Sequence, residues 1–204
     1  TTFFFFFGCE EAARLVYAGH IASEQTDPRL YGDNQLLPIF QSLIHQGFKL
    51  DAYLTSPQNL FDLHYPNYLR LQANANFHLL PTLPVQTLLQ NINRAFAGLQ
   101  WGSPPANSLQ TVSHPVTVSK KILTYAAAGI PVVLFSYLSG MAEWVREYQM
   151  GWSVGELQET DLQQLFSRQT RESRIPGLMA FREMSCLESQ IKGLIPFLRK
   201  YIQA

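Results

Sequence analysis

The sequence predicts an α/β protein built on a parallel sheet with helices on both faces. Two observations carry that expectation. Short β-branched and aromatic runs take turns with stretches of helical periodicity along most of the chain, the rhythm of parallel strands joined by crossover helices. One run, "VVLF" at Val132 to Phe135, is apolar throughout, as strands buried on both faces are. Sheets of this kind bind ligands beyond the carboxyl ends of their strands, so the residues that follow each strand are the ones to inspect.

The elements follow in order. "RLVYAG" is a strand closed by Gly19, and a polar loop leads from it to "NQLLPIFQSLIHQG". There Leu36, Phe40, Leu43 and Ile44 keep helical spacing, Pro38 suits the first turn and Gly47 the end. "FKLDAYLT" is a second strand, "PQNLFDLHYPNYLRLQAN" an irregular or helical stretch broken at Pro66, and "NFHLLP" a third strand. "PVQTLLQNINRAF" predicts a helix that starts at Pro84 and turns Val85, Leu88, Leu89, Ile92 and Phe96 to one side, and "AGLQW" a fourth strand. "SKKILTYAAAGIP" predicts a helix capped by Ser119, with Ile122, Leu123, Ala126 and Ala127 inward, Gly129 at its left-handed end and Pro131 preventing continuation. "VVLF", the helix "GMAEWVREYQ", the strand "WSVGEL" and a helix "DLQQLFSR" complete the alternation.

Composition narrows the classes of function. At 204 residues the chain suits one good-sized domain, since domains commonly take about 100–200. Fifteen basic residues face fifteen acidic ones and 47% of residues are apolar, the balance of a folded globular chain with no basic excess directed at nucleic acid. No apolar run approaches the ~20 residues that span a bilayer. Cys9 and Cys186 are far apart and fit no ligand spacing, which predicts a reducing, cytoplasmic setting and no metal site. Asp51, Asp62 and Asp161 occur singly, and His45, His64, His78 and His114 form no ligand pattern. Phe3 to Phe7 reads either as a strand or as the remnant of a connection to something upstream. The second reading is preferred, because five phenylalanines are a poor start for a soluble chain. Residues 1–13 are therefore expected to be a lead segment, 14–175 the domain, and 176–204 a C-terminal helical segment.

Lys120 and Lys121 raise the functional question. Each stands in the first turn of its predicted helix, where a cation opposes the helix dipole by roughly 0.3–1 kcal/mol. Two readings stand: lysines that swing their heads into water, or lysines that face an anion held at the helix start, where free N–H groups already favour phosphate.

"SKKILTYAAAGIPVVLF" followed by "SGMAEWVREYQMGWSV" resembles the donor-binding C-terminal domain of bacterial GT-B glycosyltransferases. Many members carry a Lys-x-x-x-Tyr-x-Ala-Ala-Gly-x-Pro-Val segment, then a helix with an early Glu and a Gly-containing turn. The matching positions are Lys121, Tyr125, Ala127, Ala128, Gly129, Pro131 and Val132, then Glu143 and Gly151. "LVYAGHI" resembles that domain's first strand and glycine loop. The chain departs from the large retaining subgroup at its Glu-x7-Glu pair, where Val116 and Thr124 stand. Its first loop offers His20 and, farther on, Arg29 in place of Arg and Lys, which leaves retention or inversion open.

The resemblance implies a Rossmann-like half of a GT-B fold that transfers a sugar from a nucleoside diphosphate sugar, such as one of UDP, to an unknown acceptor, with no metal or other cofactor. It implies nucleotide-sugar contacts from Gly19, His20, Ser119, Lys120, Lys121, Tyr125, Ser139, Gly140, Met141 and Glu143, and a loop of His78, Leu79, Leu80 and Pro81 against the base. Ser139 is also readable as a plain N-cap, Glu143 as a first-turn complement to the dipole, and His114 as a loop residue near the lysines. The catalytic residues are not identified. An N-terminal acceptor domain or a partner subunit is expected. The alternative is a non-catalytic Rossmann-like module that binds a nucleotide or a protein partner.

Overall fold

The computed structural model describes residues 13–27, 35–100, 119–135, 138–155, 165, 167–186, 188–192 and 195. Its strands are β1 (Arg14–Gly19), β2 (Lys49–Leu54), β3 (Phe77–Leu80), β4 (Ala97–Gln100), β5 (Val132–Phe135) and β6 (Gly151–Val154). All pair in parallel, in the order β3-β2-β1-β4-β5-β6. The order reverses between β1 and β4, which makes that junction the topological switch point of a doubly wound, Rossmann-like sheet.

On one face Leu15, Tyr17, Leu50, Ala52, Leu54, Phe77 and Leu79 meet α1 (Leu37–His45) and the broken helical stretch after β2. That stretch is a single 3-10 turn (Gln58–Leu60), α2 (Phe61–His64) and α3 (Pro66–Leu71), and it breaks at Pro66 as expected. Pro38 lies in the first turn of α1, and Leu36, Phe40, Leu43 and Ile44 are all buried. Gly47 reverses the chain at φ 89°, where a side chain would be strained.

The other face carries Val16, Ala18, Tyr53, Val132 and Leu134 under the remaining helices: α4 (Val85–Ile92), α5 (Lys120–Ala128), α6 (Ser139–Glu147) and α7 (Arg168–Ser185). α4 departs from its predicted face. Only Ile92 is fully buried and Val85 is 64% exposed, because this helix packs chiefly on α5 rather than on the sheet. α5 also sits rotated from expectation. Ile122, Tyr125 and Ala126 point inward, while Leu123 and Ala127 are exposed.

The 175/176 boundary falls inside α7, which runs unbroken through Pro176. A capping box of Ser167 and Thr170 starts this helix, and Gly177 lets it lie against the Tyr148 carbonyl, where a Cβ would collide. Leu178 and Phe181 are buried there, Phe181 with its ring 5.3 Å from that of Tyr148 and 5.8 Å from that of Trp144. Cys9, Arg29, His114, Val116 and Asp161 lie outside the described residues, as does the predicted helix "DLQQLFSR" except for Leu165 and for Ser167 and Arg168, which start α7. Among the described residues no helix is long and apolar enough to cross a membrane.

Candidate functional site

A cleft of about 350 Å³ opens at the carboxyl ends of β1 and β2, against the start of α5. Its floor and rim come from Ala18, Gly19 and His20 after β1 and from Tyr53 to Thr55 at the end of β2. Thr82, Leu83 and Leu88 form its apolar side, and Ser119, Lys120, Lys121 and Thr124 its polar one.

The helix start is built as its sequence requires. Ser119 has extended backbone and its hydroxyl accepts from the Lys121 N–H at 3.2 Å. The Ser119 N–H itself donates to the sulfur of Met141 at 3.3 Å, which ties α5 to the start of α6. At the far end Gly129 adopts φ 75° and closes the helix.

The two lysines part company. Lys120 is exposed on the rim. Lys121 is half-buried and lies across the end of β1, directly over Gly19, where a Cβ would collide with its Cε. Its Nζ stands 5.1 Å from the ring centroid of Tyr17, a cation–π arrangement. Tyr17 belongs to the opposite face of the sheet, so Lys121 reaches over the strand end, and the missing side chain at Gly19 makes room for it. The Tyr17 hydroxyl donates to the His20 carbonyl and fixes the turn that follows. His20 itself is exposed on the lip.

Tyr125 does not line the cleft. It is fully buried beneath it, with its ring flat on Gly98 where a Cβ would not fit. Its hydroxyl accepts from the Ala18 N–H at 3.1 Å and donates to the Leu99 carbonyl at 2.9 Å. Burial pushes the phenol far above its ordinary pKa, although the bond from Ala18 pulls the other way. Tyr53, on the cleft wall, is also raised, first by burial and then by the nearby Asp51.

Four further expected residues stay away from the cleft lining. Ser139 is the first helical residue of α6 rather than its cap, which is Leu138 with no side-chain bond. Gly140 follows it in the helix, Met141 is buried, and Glu143 is exposed in the second turn, beyond the reach of the helix start. The four residues expected against the base also stay out of the cleft lining. His78, Leu79 and Leu80 belong to β3, because β3 continues pairing with β2 as far as Leu80 opposite Tyr53. Leu79 is buried on the other face, and Pro81 lies outside the lining. Thr82 and Leu83, farther along the same loop, line the cleft.

His78 instead meets Asp51, Nδ1 to Oδ1 at 2.7 Å, and Arg14 reaches the other carboxylate oxygen at 3.4 Å. Asp51, single in the sequence, is thus paired across three strands. Among the described residues no three His, Cys, Asp or Glu gather as a metal would require. A second cleft of about 340 Å³ lies beyond His20, lined by Ala22, Ser23, Thr26, Ser56, Leu60, His64 and Tyr65. Its polar groups are engaged with one another: Ser23 Oγ with His64 Nδ1 at 3.1 Å and Ser56 Oγ with the Tyr65 hydroxyl at 2.7 Å.

The profile of the family described as "Glucosyltransferase 3-like, C-terminal domain" matches residues 41–173. The match contains α5 and its two lysines, whereas β1, Gly19 and His20 precede it. Glucosyltransferase 3 of Streptococcus gordonii is 39% identical over 72 residues, which make up 35% of this chain and 21% of that protein. The matched stretch thus spans about a fifth of that relative's length. Among solved structures, the α,α-trehalose 6-phosphate synthase of Burkholderia multivorans superposes with a TM-score of 0.55 at 13% identity, over 94% of this chain and 43% of that one. AviGT4, a glycosyltransferase involved in avilamycin A biosynthesis, gives a TM-score of 0.46 at 16% identity, over 89% of this chain and 52% of that one. The fold is the parallel, Rossmann-like sheet of one half of a GT-B glycosyltransferase.

Proposed function

Because the chain belongs to the family of glucosyltransferase 3-like C-terminal domains, we propose that its cleft is the donor side of a glycosyltransferase and takes the diphosphate of a nucleoside diphosphate sugar. The observation that carries this reading is Lys121 lying across Gly19 at the switch point, beside the capped start of α5. A helix N-terminus favours an anion, and a cation beside it adds a charge-assisted bond to that anion. Here the ammonium and the positive end of α5 face one place, where a phosphate would be favoured by both.

The chemistry follows from that placement. Transfer breaks the bond between the sugar's anomeric carbon and the terminal phosphate oxygen, and the electron pair stays on the departing diphosphate. Lys121, with Lys120 on the rim, stabilises that growing charge, and the α5 dipole adds to it. The base packs toward Leu83 and Leu88, and the sugar extends toward His20. The described residues that line the cleft include no carboxylate, and an N-terminal acceptor domain or a partner subunit would supply the group that takes the acceptor's proton.

Thermal melting of the chain with UDP, GDP, ADP, CMP and dTDP, each at millimolar concentration, tests the reading. A ligand present at 100 times its Kd adds about 2.7 kcal/mol, which raises Tm by roughly 5–10 °C in a chain of this size. One nucleoside diphosphate is expected to do so. No shift with any of them refutes the donor reading for this chain.

A further inference from the structure

We infer that Tyr125 is a positioning residue for the proposed diphosphate site: its hydroxyl wedges β1 away from β4 and so sets how Lys121 reaches across Gly19. The inference rests on the donor-side reading of the cleft.

The β1–β4 ladder pairs Leu15 with Ala97 and Val16 with Gly98 and then stops. Continuing that register would bring the Ala18 N–H onto the Leu99 carbonyl. The Tyr125 hydroxyl occupies the gap instead, accepting from the first and donating to the second. One oxygen thus replaces one ladder hydrogen bond, both main-chain groups stay satisfied, and the strand ends remain apart. The switch-point crevice is held open by a side chain rather than by the twist of the sheet alone.

Tyr125 and Lys121 stand four residues apart on α5, hence on one face of the helix. Each needs a glycine opposite: Gly98 lies under the Tyr125 ring and Gly19 under the Lys121 arm. The residue that Tyr125 grips, Ala18, immediately precedes Gly19. A displacement of Ala18 is therefore passed directly to the surface that Lys121 crosses. At the same end of β4, Gln100 is buried and its Oε1 has no hydrogen-bond partner among the described residues.

Phenylalanine at position 125 keeps the ring on Gly98 and removes the wedge. Ala18 and Leu99 then either bond directly, closing the crevice, or remain unpaired, and Gly19 shifts in both cases. The test measures Kd for the nucleoside diphosphate that stabilises the wild-type chain, in wild type, Tyr125→Phe, Lys121→Met and the double variant, well below every Tm. Tyr125→Phe is expected to raise Kd about tenfold, the equivalent of one hydrogen bond's net contribution. The double variant is expected to bind within about twofold of Lys121→Met alone, since coupled residues are not additive. An unchanged Kd with a lowered Tm means that Tyr125 is only a core residue, and additive losses mean that it does not act through Lys121; either overturns the inference. Should Tyr125→Phe fail to fold, hydrogen exchange on the wild type decides: the Ala18 amide is expected to change protection when nucleotide binds, and unchanged protection overturns the inference. A wild-type chain that binds none of the nucleotides removes the donor reading and this inference together.

Discussion

Gly19→Ala separates binding from folding more cleanly than removal of a charge. The backbone of Gly19 lies outside the left-handed region, so alanine fits it, and the nearest atoms a new methyl would meet are Cε, Nζ and Cδ of Lys121. A flexible arm can swing aside. Replacing glycine where the backbone permits it stabilises by about 0.4–1 kcal/mol through the unfolded chain. Losing the cation–π contact with Tyr17 costs about 0.5–1 kcal/mol. The two nearly cancel, and Tm is expected to stay within about 2 °C of wild type. The ammonium, however, no longer crosses the strand end. Its charge-assisted bond to a phosphate, worth about 1.5–3 kcal/mol, is lost, and Kd for the nucleoside diphosphate rises by roughly 10- to 150-fold. Calorimetric titration and a melting curve on the same preparation read both quantities. Unchanged affinity would show that the Lys121 arm has no part in binding. A Tm lowered by more than about 5 °C would show that the arm cannot move aside, against the packing described.

Other substitutions probe the scaffold. Asp51→Asn removes the charge that Arg14 and His78 share and is expected to cost about 1–3 kcal/mol in urea denaturation, with nucleotide affinity unchanged because the cluster lies outside the cleft lining. Ser119→Ala deletes the α5 cap at a cost of about 1 kcal/mol, and Gly129→Ala forces a side chain to φ 75° at about 1–2 kcal/mol; chemical denaturation reads both. Burial raises the pKa of Tyr53, Tyr68 and Tyr125 above 10.0 in the folded chain. The unfolded chain therefore releases those protons first. Their contribution is fully present below about pH 10 and declines as pH rises toward the folded pKa values, by up to about 1.4 kcal/mol per pH unit for each phenol. Tyr125→Phe should flatten that decline in a pH series of melting curves, and an equal slope in both proteins would refute it.

The sheet and the caps of α5 were legible because both are written locally. Alternation marks the strands, Ser119 marks the start of the helix, and Gly129 with Pro131 marks its end. What escaped the sequence depends on partners far along the chain. β3 runs through Leu80, as the strand "NFHLLP" predicts, and pairs there with Tyr53 on β2, so of the loop that follows it is Thr82 and Leu83 that line the cleft. α5 turns Tyr125 inward instead of Leu123 because Gly98 leaves room for a ring, and nothing near Leu123 signals this. α7 continues through Pro176 because Gly177 seats it on the Tyr148 carbonyl, whereas the Pro-Gly pair alone reads as a stop. Lys121 was marked by its place in the first turn. Its direction across β1 follows from Gly19, which the sequence offered as a strand end and a donor contact but not as the room for a lysine arm.

Lys121→Met tests the central claim most directly, since methionine keeps an apolar arm over Gly19 and removes only the charge. Titration of both proteins with the nucleoside diphosphate that stabilises the wild type should show Kd raised by roughly 10- to 150-fold in the variant, with Tm nearly unchanged. Equal affinity in the two proteins would contradict the account and leave the cleft without its phosphate ligand.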